Sequence, residues 1–338
     1  MRVTFYQRKP YLKNNFSIER VFDDIRKALP NNIKYKIAIS SYDSRGIWAR
    51  VYNIIEAAFH QGDVNHITGD VHFLAFLFKK RRTVLSIMDC GNLEELKGFN
   101  KFLFFLFWFW IPEKRVSLIS VISEATKKEL LRYLNCNPDK IKVIYCPVSD
   151  IFKPAPKVFN IKKPALLQIG VTKNKNIERL AEALKGVHCH LRIIGKLSQE
   201  QISALKAYNI DYLAVANISD MELVEQYQQS DMVVFVSTYE GFGLPIIEAN
   251  ATGRPVVTSN ILSMPEVARD AACLVNPFDV ESIRAGVLRV IQDATYREQL
   301  VQNGFKNVER FRPHAIAQQY LELYKKLFRE SHNCEDSN

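Results

Sequence analysis

Short, almost continuously apolar runs alternate with longer stretches of helical periodicity, and this rhythm occurs twice along the chain. In the first half Tyr35–Ser40, Thr83–Ile87 and Val116–Ile122 read as strands, and Ser123 reads as the cap of a helix over Glu124–Leu134. Apolar residues at successive positions, rather than at every second one, predict a parallel sheet covered on both faces. The rhythm lapses over Pro147–Pro164, which carries four prolines, and Phe152–Lys157 is the expected linker. It restarts with a strand at Ala165–Gly170, a helix at Asn176–Leu184 and strands at Cys189–Ile194 and Met232–Val236. A helix at Pro245–Ala251, a strand at Pro255–Thr258 and helices over 279–292 and Ala315–Phe328 complete the pattern. The fold class expected is α/β, with two Rossmann-like doubly wound domains facing a cleft, where ligands bind beyond the strand C-termini.

Composition narrows this little. With 338 residues, 47% hydrophobic and 24% charged, the chain suits two soluble globular domains and excludes disorder. Met1–Phe5 is not the start of a signal-peptide run, and six scattered cysteines without a CxxC suit a reducing cytoplasm, so export is not expected. The charge of +10 lies wholly in the first half: residues 1–154 hold 25 Lys and Arg against 15 Asp and Glu. Such a field attracts an anionic membrane surface or a phosphorylated substrate. Nucleic acid is not expected, since no helix-turn-helix, zinc-finger or RNA-binding signature accompanies the charge. Neither a clear GxGxxG after a first strand nor a GxxxxGK[ST] is present, which argues against dinucleotide and P-loop enzymes.

The segment Tyr239-Glu240-Gly241-Phe242-Gly243-Leu244-Pro245-Ile246-Ile247-Glu248 joins a strand to a helix. Gly241 and Gly243 let backbone N–H groups approach an anion, and the following helix N-terminus adds partial positive charge, a combination suited to a diphosphate. Glu240 and Glu248, poor partners for phosphate and good acceptors for hydroxyls, are placed to hold the two polyol ends of such a ligand. Spacing alone leaves open a solvated loop with two ordinary surface acids. Lys173 and Lys175 after Gly170, and Lys196 after Gly195, fall on loops at the same sheet edge and could neutralise a diphosphate. No Asp-x-Asp follows a strand, so neither a metal nor another cofactor is called for.

Glu240-Gly241-Phe242-Gly243-Leu244-Pro245-x-x-Glu248, Ala249–Val257, Pro265-Glu266-Val267 and Ala271–Pro277, with Asp231 and Ser219–Leu223, resemble glycosyltransferase family 4, the retaining GT-B glycosyltransferases. The resemblance implies a GT-B architecture. Residues 1–155 form an N-terminal acceptor domain completed by a helix over 314–330, residues 160–313 form a nucleotide-sugar domain, and 331–338 is a disordered tail. It places Glu240 on the donor sugar and Glu248 on the ribose, with the Phe242–Leu244 backbone along the phosphates. Lys175 is the preferred diphosphate lysine and Lys173 the second. Lys196 and Ile218 border the base. His72, or alternatively His66, brings an imidazole to the cleft, with Asp89 on the acceptor side.

The sequence departs from the family at Met88-Asp89 in place of His-Asp, at the loop Lys13–Ser17 and at Cys146-Pro147. The function implied is retaining transfer from a UDP- or GDP-sugar to a saccharide or lipid-linked saccharide in bacterial envelope synthesis. A nucleotide-sugar epimerase and a non-catalytic sugar-binding protein are the alternatives.

The run Phe99–Pro112 is unusually aromatic, and its ten uninterrupted apolar residues are too few to span a bilayer. It reads either as a buried helix or, with Trp108, Trp110 and the basic 79–82, as part of a surface (79–82 and 99–115) that docks on an anionic membrane. The second reading gives a peripheral protein on the inner face of the cell membrane.

Overall fold

The structure is a computed structural model that describes residues 1–9, 17–91, 93 and 96–333. The chain divides into a first unit, Met1–Pro147 together with the segment from Pro313, and a second, Val148–Arg312. Each unit is built on a six-stranded sheet, and every strand pairing is parallel.

In the first unit β1 (Arg2–Gln7), β2 (Lys34–Ile39), β3 (Val64–Ile67), β4 (Thr83–Ile87), β5 (Leu118–Val121) and β6 (Ile141–Val143) stand in the order β2-β1-β3-β4-β5-β6. β1 is an interior strand with Val3 and Phe5 fully buried. The expectation of two covered faces holds for β3 to β5 and fails for β2. As an edge strand β2 leaves Tyr35 and Ile39 exposed, and the helix Ile47–Phe59 that follows exposes Trp48 and Phe59. The helix Pro313–Asn333 belongs to this unit, with Tyr324 and Tyr320 near Ser86 and Ser120 around the ring of His66.

Two expectations are corrected. The second unit begins at Val148, and the first ends at Pro147 rather than 155, because the proline-rich segment is packed rather than free. Phe152 lies edge-on to Tyr227 at 5.4 Å, Arg254 Nη2 donates to Ala155 O at 2.8 Å, and Lys157 pairs with Asp231. Prolines there mark irregular backbone, not a separation. The last helix continues to Asn333, with Ser331 buried and its hydroxyl donating to Phe328 O, so 331–333 is not a disordered tail. Residues 334–338 lie outside the described residues.

In the second unit β7 (Ala165–Ile169), β8 (His190–Ile194), β9 (Tyr212–Val215), β10 (Met232–Phe235), β11 (Val256–Ser259) and β12 (Cys273–Val275) run in the order β12-β11-β10-β7-β8-β9. The order reverses between β10 and β7, the topological switch point at which open α/β sheets bind ligands. Asp231 just before β10 is buried and structural: it accepts from the N–H groups of Asn160 and Ala165 at 3.1 and 2.8 Å.

Candidate active site

At the C-terminal ends of β7 and β10 two loops are stitched together. Asn174 O accepts the Thr238 N–H at 2.8 Å, and Asn174 Nδ2 donates to Tyr239 O at 2.8 Å and to Glu240 Oε1 at 3.3 Å. Asn176, in the left-handed region at φ 63°, ends the same loop and donates to Val236 O and Pro277 O at 3.0 and 2.7 Å. Ser263 Oγ stands 2.9 Å from both Glu240 O and Phe242 O, which fixes the turn from the other side. These neighbours are far away in sequence.

Lys175 Nζ lies 2.5 Å from Glu240 Oε1 and 4.7 Å from the centroid of the Phe235 ring. Both partners are largely shielded from solvent. The side chain of Lys175 folds over Gly170, where a Cβ would stand 2.9 Å from Lys175 Cε, and Gly170 sits at φ 83°. A side chain at this position would displace the lysine. Thus two of the expected donor residues meet each other. Lys173 and Lys196 are exposed, and among the described residues no ion pair joins either of them to a glutamate.

Gly243, at φ 107°, turns the chain into the helix Leu244–Thr252. Gly241 and Leu244 are half-buried beside it, whereas the Phe242 ring is buried edge-on against Phe311, so only its backbone can border a ligand. Glu248 is only 4% exposed and accepts a 2.7 Å hydrogen bond from the Tyr227 hydroxyl. A buried carboxylate needs such a donor, and Tyr227 holds it at a fixed orientation. Ile218 is half-buried on the loop after β9.

In the first unit the two histidines separate. His66 lies within β3, fully buried, with Nδ1 2.7 Å from Tyr324 Oη and Nε2 2.7 Å from Ser86 Oγ. Burial pushes its pKa down to about 3. Both ring nitrogens are occupied by the core, so His66 is corrected to a structural residue. His72 opens the turn His72–Leu77 and lines a cavity of about 130 Å³ together with Arg8, Asp70, Met88, Asp89 and Trp108. Its Nδ1 is 2.7 Å from Trp108 O, and burial holds its pKa below the ordinary histidine value despite Asp70 and Asp89 nearby. Asp89 is exposed, and its carboxylate accepts the Gly91 N–H at 3.0 Å. The acceptor-side departure Lys13–Phe16 lies outside the described residues.

The aromatic segment divides between the two readings. Trp108 is 7% exposed and Phe109 is buried, whereas Phe99 is 72% and Trp110 46% exposed. Trp108 is therefore corrected from a surface residue to a core one. Lys79, Lys80 and Arg81 are exposed. No helix among the described residues is long and apolar enough to cross a membrane, and no group of three or more His, Cys, Asp or Glu among them is arranged to hold a metal ion.

Two doubly wound units, each with a parallel sheet, and a Gly-Phe-Gly turn at the switch point of the second define the GT-B class of α/β protein. Anabaena HepE in complex with UDP-glucose superposes with a TM-score of 0.77 over 96% of this chain and 99% of that one, at 16% identity. Residues 151–307 match the family model for glycosyl transferases group 1, and the chain is a GT-B protein related to that family. O-antigen chain mannosyltransferase B of Escherichia coli is 30% identical over 234 residues, 62% of this chain and 61% of that protein. The capsular polysaccharide biosynthesis glycosyltransferase CapM of Staphylococcus aureus is 26% identical over 271 residues, 71% and 69% of the two chains. The match to the mannosyltransferase thus spans about three fifths of that relative's length.

Proposed function

We propose that this protein transfers a sugar from a UDP- or GDP-sugar to a hydroxyl of a saccharide or lipid-linked saccharide, with retention of anomeric configuration, in the synthesis of a bacterial envelope polysaccharide. The observation that carries the reading is the pairing of Lys175 with Glu240 at the N-terminus of the helix that bears Glu248. A donor would replace that pairing: its diphosphate takes Lys175 and the helix N-terminus, and its sugar hydroxyls donate to Glu240. Glu248, oriented by Tyr227, accepts from the ribose. Lys173 and Lys196, both free to swing, add charge for the phosphates and the base side. The names of the Escherichia coli and Staphylococcus aureus relatives support the envelope assignment.

In this reading Lys175 and the helix N-terminus stabilise the departing diphosphate, the task a metal performs elsewhere, so transfer proceeds in the presence of a chelator. His72 stays neutral and hydrogen-bonds the donor sugar, and the leaving phosphate takes the acceptor proton. The test is a panel of UDP- and GDP-sugars with and without saccharide acceptors, read by product anomeric configuration. Transfer with retention is expected. Conversion of a donor without any acceptor would indicate an epimerase, and the absence of any reaction or binding would indicate a non-catalytic protein.

The same reading places the basic residues 79–82 and the exposed part of 99–115 against an anionic bilayer, where a lipid-linked acceptor resides. Phe99, Phe102 and Trp110 are the most exposed aromatic side chains of the segment and would enter the interface. Replacing all three by Ser should lower co-sedimentation with phosphatidylglycerol-containing liposomes at least tenfold, since each buried aromatic contributes on the order of 1–2 kcal/mol. Equal sedimentation of the two proteins would contradict docking through this segment.

A further inference from the structure

The aromatic segment lines the cavity beside His72 with Phe104, Trp108 and Phe109. Residues Leu106–Trp110 form a π-helical turn, and the chain continues as the helix Ile111–Arg115 with Pro112 near its start. The backbone carbonyl of Trp108 faces the ring of His72, with Nδ1 2.7 Å from Trp108 O. A carbonyl oxygen only accepts, so Nδ1 carries the hydrogen and Nε2 is left with its lone pair.

Trp108 makes a second contact to the same loop, its indole N–H donating to Asp70 Oδ1 at 2.9 Å. The indole is itself fixed by stacking on Phe104 at 5.1 Å, by the edge contact with Phe73 and by the Arg50 guanidinium 4.7 Å from its centroid. The groups that face His72 are thus Asp70 on its own loop, Asp89 after β4, Arg8 after β1, and Trp108 and Phe109 from the π-helical turn.

We infer that Trp108 is a positioning residue: its backbone carbonyl locks His72 in the Nδ1–H tautomer, so that Nε2 accepts a hydrogen bond from a sugar hydroxyl. The inference rests on the reading of His72 as a sugar-binding residue for its consequence in catalysis, while the tautomer itself is independent of that reading.

The experiment is long-range ¹H–¹⁵N correlation NMR of the full chain, with steady-state transfer kinetics alongside. The wild-type His72 ring should show a protonated Nδ1 and an unprotonated Nε2. His72→Phe removes the acceptor and should lower kcat roughly tenfold, with affinity for the free nucleoside diphosphate nearly unchanged, since only the hydrogen bond to the donor sugar is lost. Trp108→Phe keeps the carbonyl and should keep the tautomer. A wild-type ring protonated on Nε2 overturns the inference. A wild-type protein that shows the expected tautomer and transfers no sugar would leave the clasp standing and refute the functional reading.

Discussion

Replacing Glu240 by Ala should lower kcat by about 10²–10³-fold, a loss of about 3–4 kcal/mol of transition-state stabilisation. Affinity for the free nucleoside diphosphate should stay within threefold of wild type or become tighter. The asymmetry follows from the ligand-free geometry, in which Lys175 Nζ is held by Glu240 at 2.5 Å. Binding a diphosphate requires the lysine to exchange that carboxylate for phosphate oxygens. Without Glu240 the exchange has no cost, whereas the sugar hydroxyls lose their acceptor. Calorimetric titration and steady-state kinetics on the one variant check both halves, and full activity of Glu240→Ala would refute its role at the donor sugar.

Lys175→Ala should show the opposite balance. It removes the cation and leaves Glu240 in a shielded turn without its partner, beside the path of an incoming dianion. Loss of a charge-assisted contact and gain of a repulsion act in the same direction. An expected fall of about 10²-fold in kcat/KM comes mainly from weaker binding of donor and nucleotide. Nucleotide affinity therefore changes little or improves in one variant and drops in the other. Equal nucleotide affinity in wild type and Lys175→Ala would mean that the ion pair serves only the fold. Rescue of nucleotide affinity in the double variant would show that the unpaired carboxylate is responsible for part of the loss.

The Gly-Phe-Gly turn was legible in the sequence because its parts are local. Glycines at 241 and 243, Pro245 at the helix start and glutamates eight apart are all determined by one strand–turn–helix unit. What holds that unit was not legible. Asn174 reaches Tyr239 and Glu240 only because β7 pairs with β10, and Ser263 and Tyr227 arrive from other loops and helices. Sequence spacing also assigned Glu240 and Lys175 to different parts of a ligand, and could not show that they neutralise each other before one is bound.

The two histidines differ for a comparable reason. His66 occupies an interior strand in which every residue is buried, so no alternation marks the side on which a side chain emerges. His72 lies beyond the strand end, where loops gather. From Phe102 to Ile111 every position is apolar, so periodicity could not separate the buried Trp108 and Phe109 from the exposed Phe102 and Trp110. Its proline reads as a helix breaker, yet stands in the first turn of the helix Ile111–Arg115. The proline-rich stretch before residue 157 misled in the opposite direction, since three long-range contacts tie it to the second unit.

The central claim is that one turn, from Glu240 to Glu248, holds a nucleotide-sugar with the sugar at its first glutamate and the ribose at its second. Equilibrium titration of UDP and GDP into wild type, Glu240→Ala and Glu248→Gln tests it most directly, because free nucleotides carry the ribose and lack the sugar. The wild type should bind one of the two, Glu240→Ala should bind it at least as well within threefold, and Glu248→Gln should bind it roughly tenfold more weakly through loss of a charged acceptor. No binding of either nucleotide by the wild type, or undiminished binding by Glu248→Gln, would contradict it.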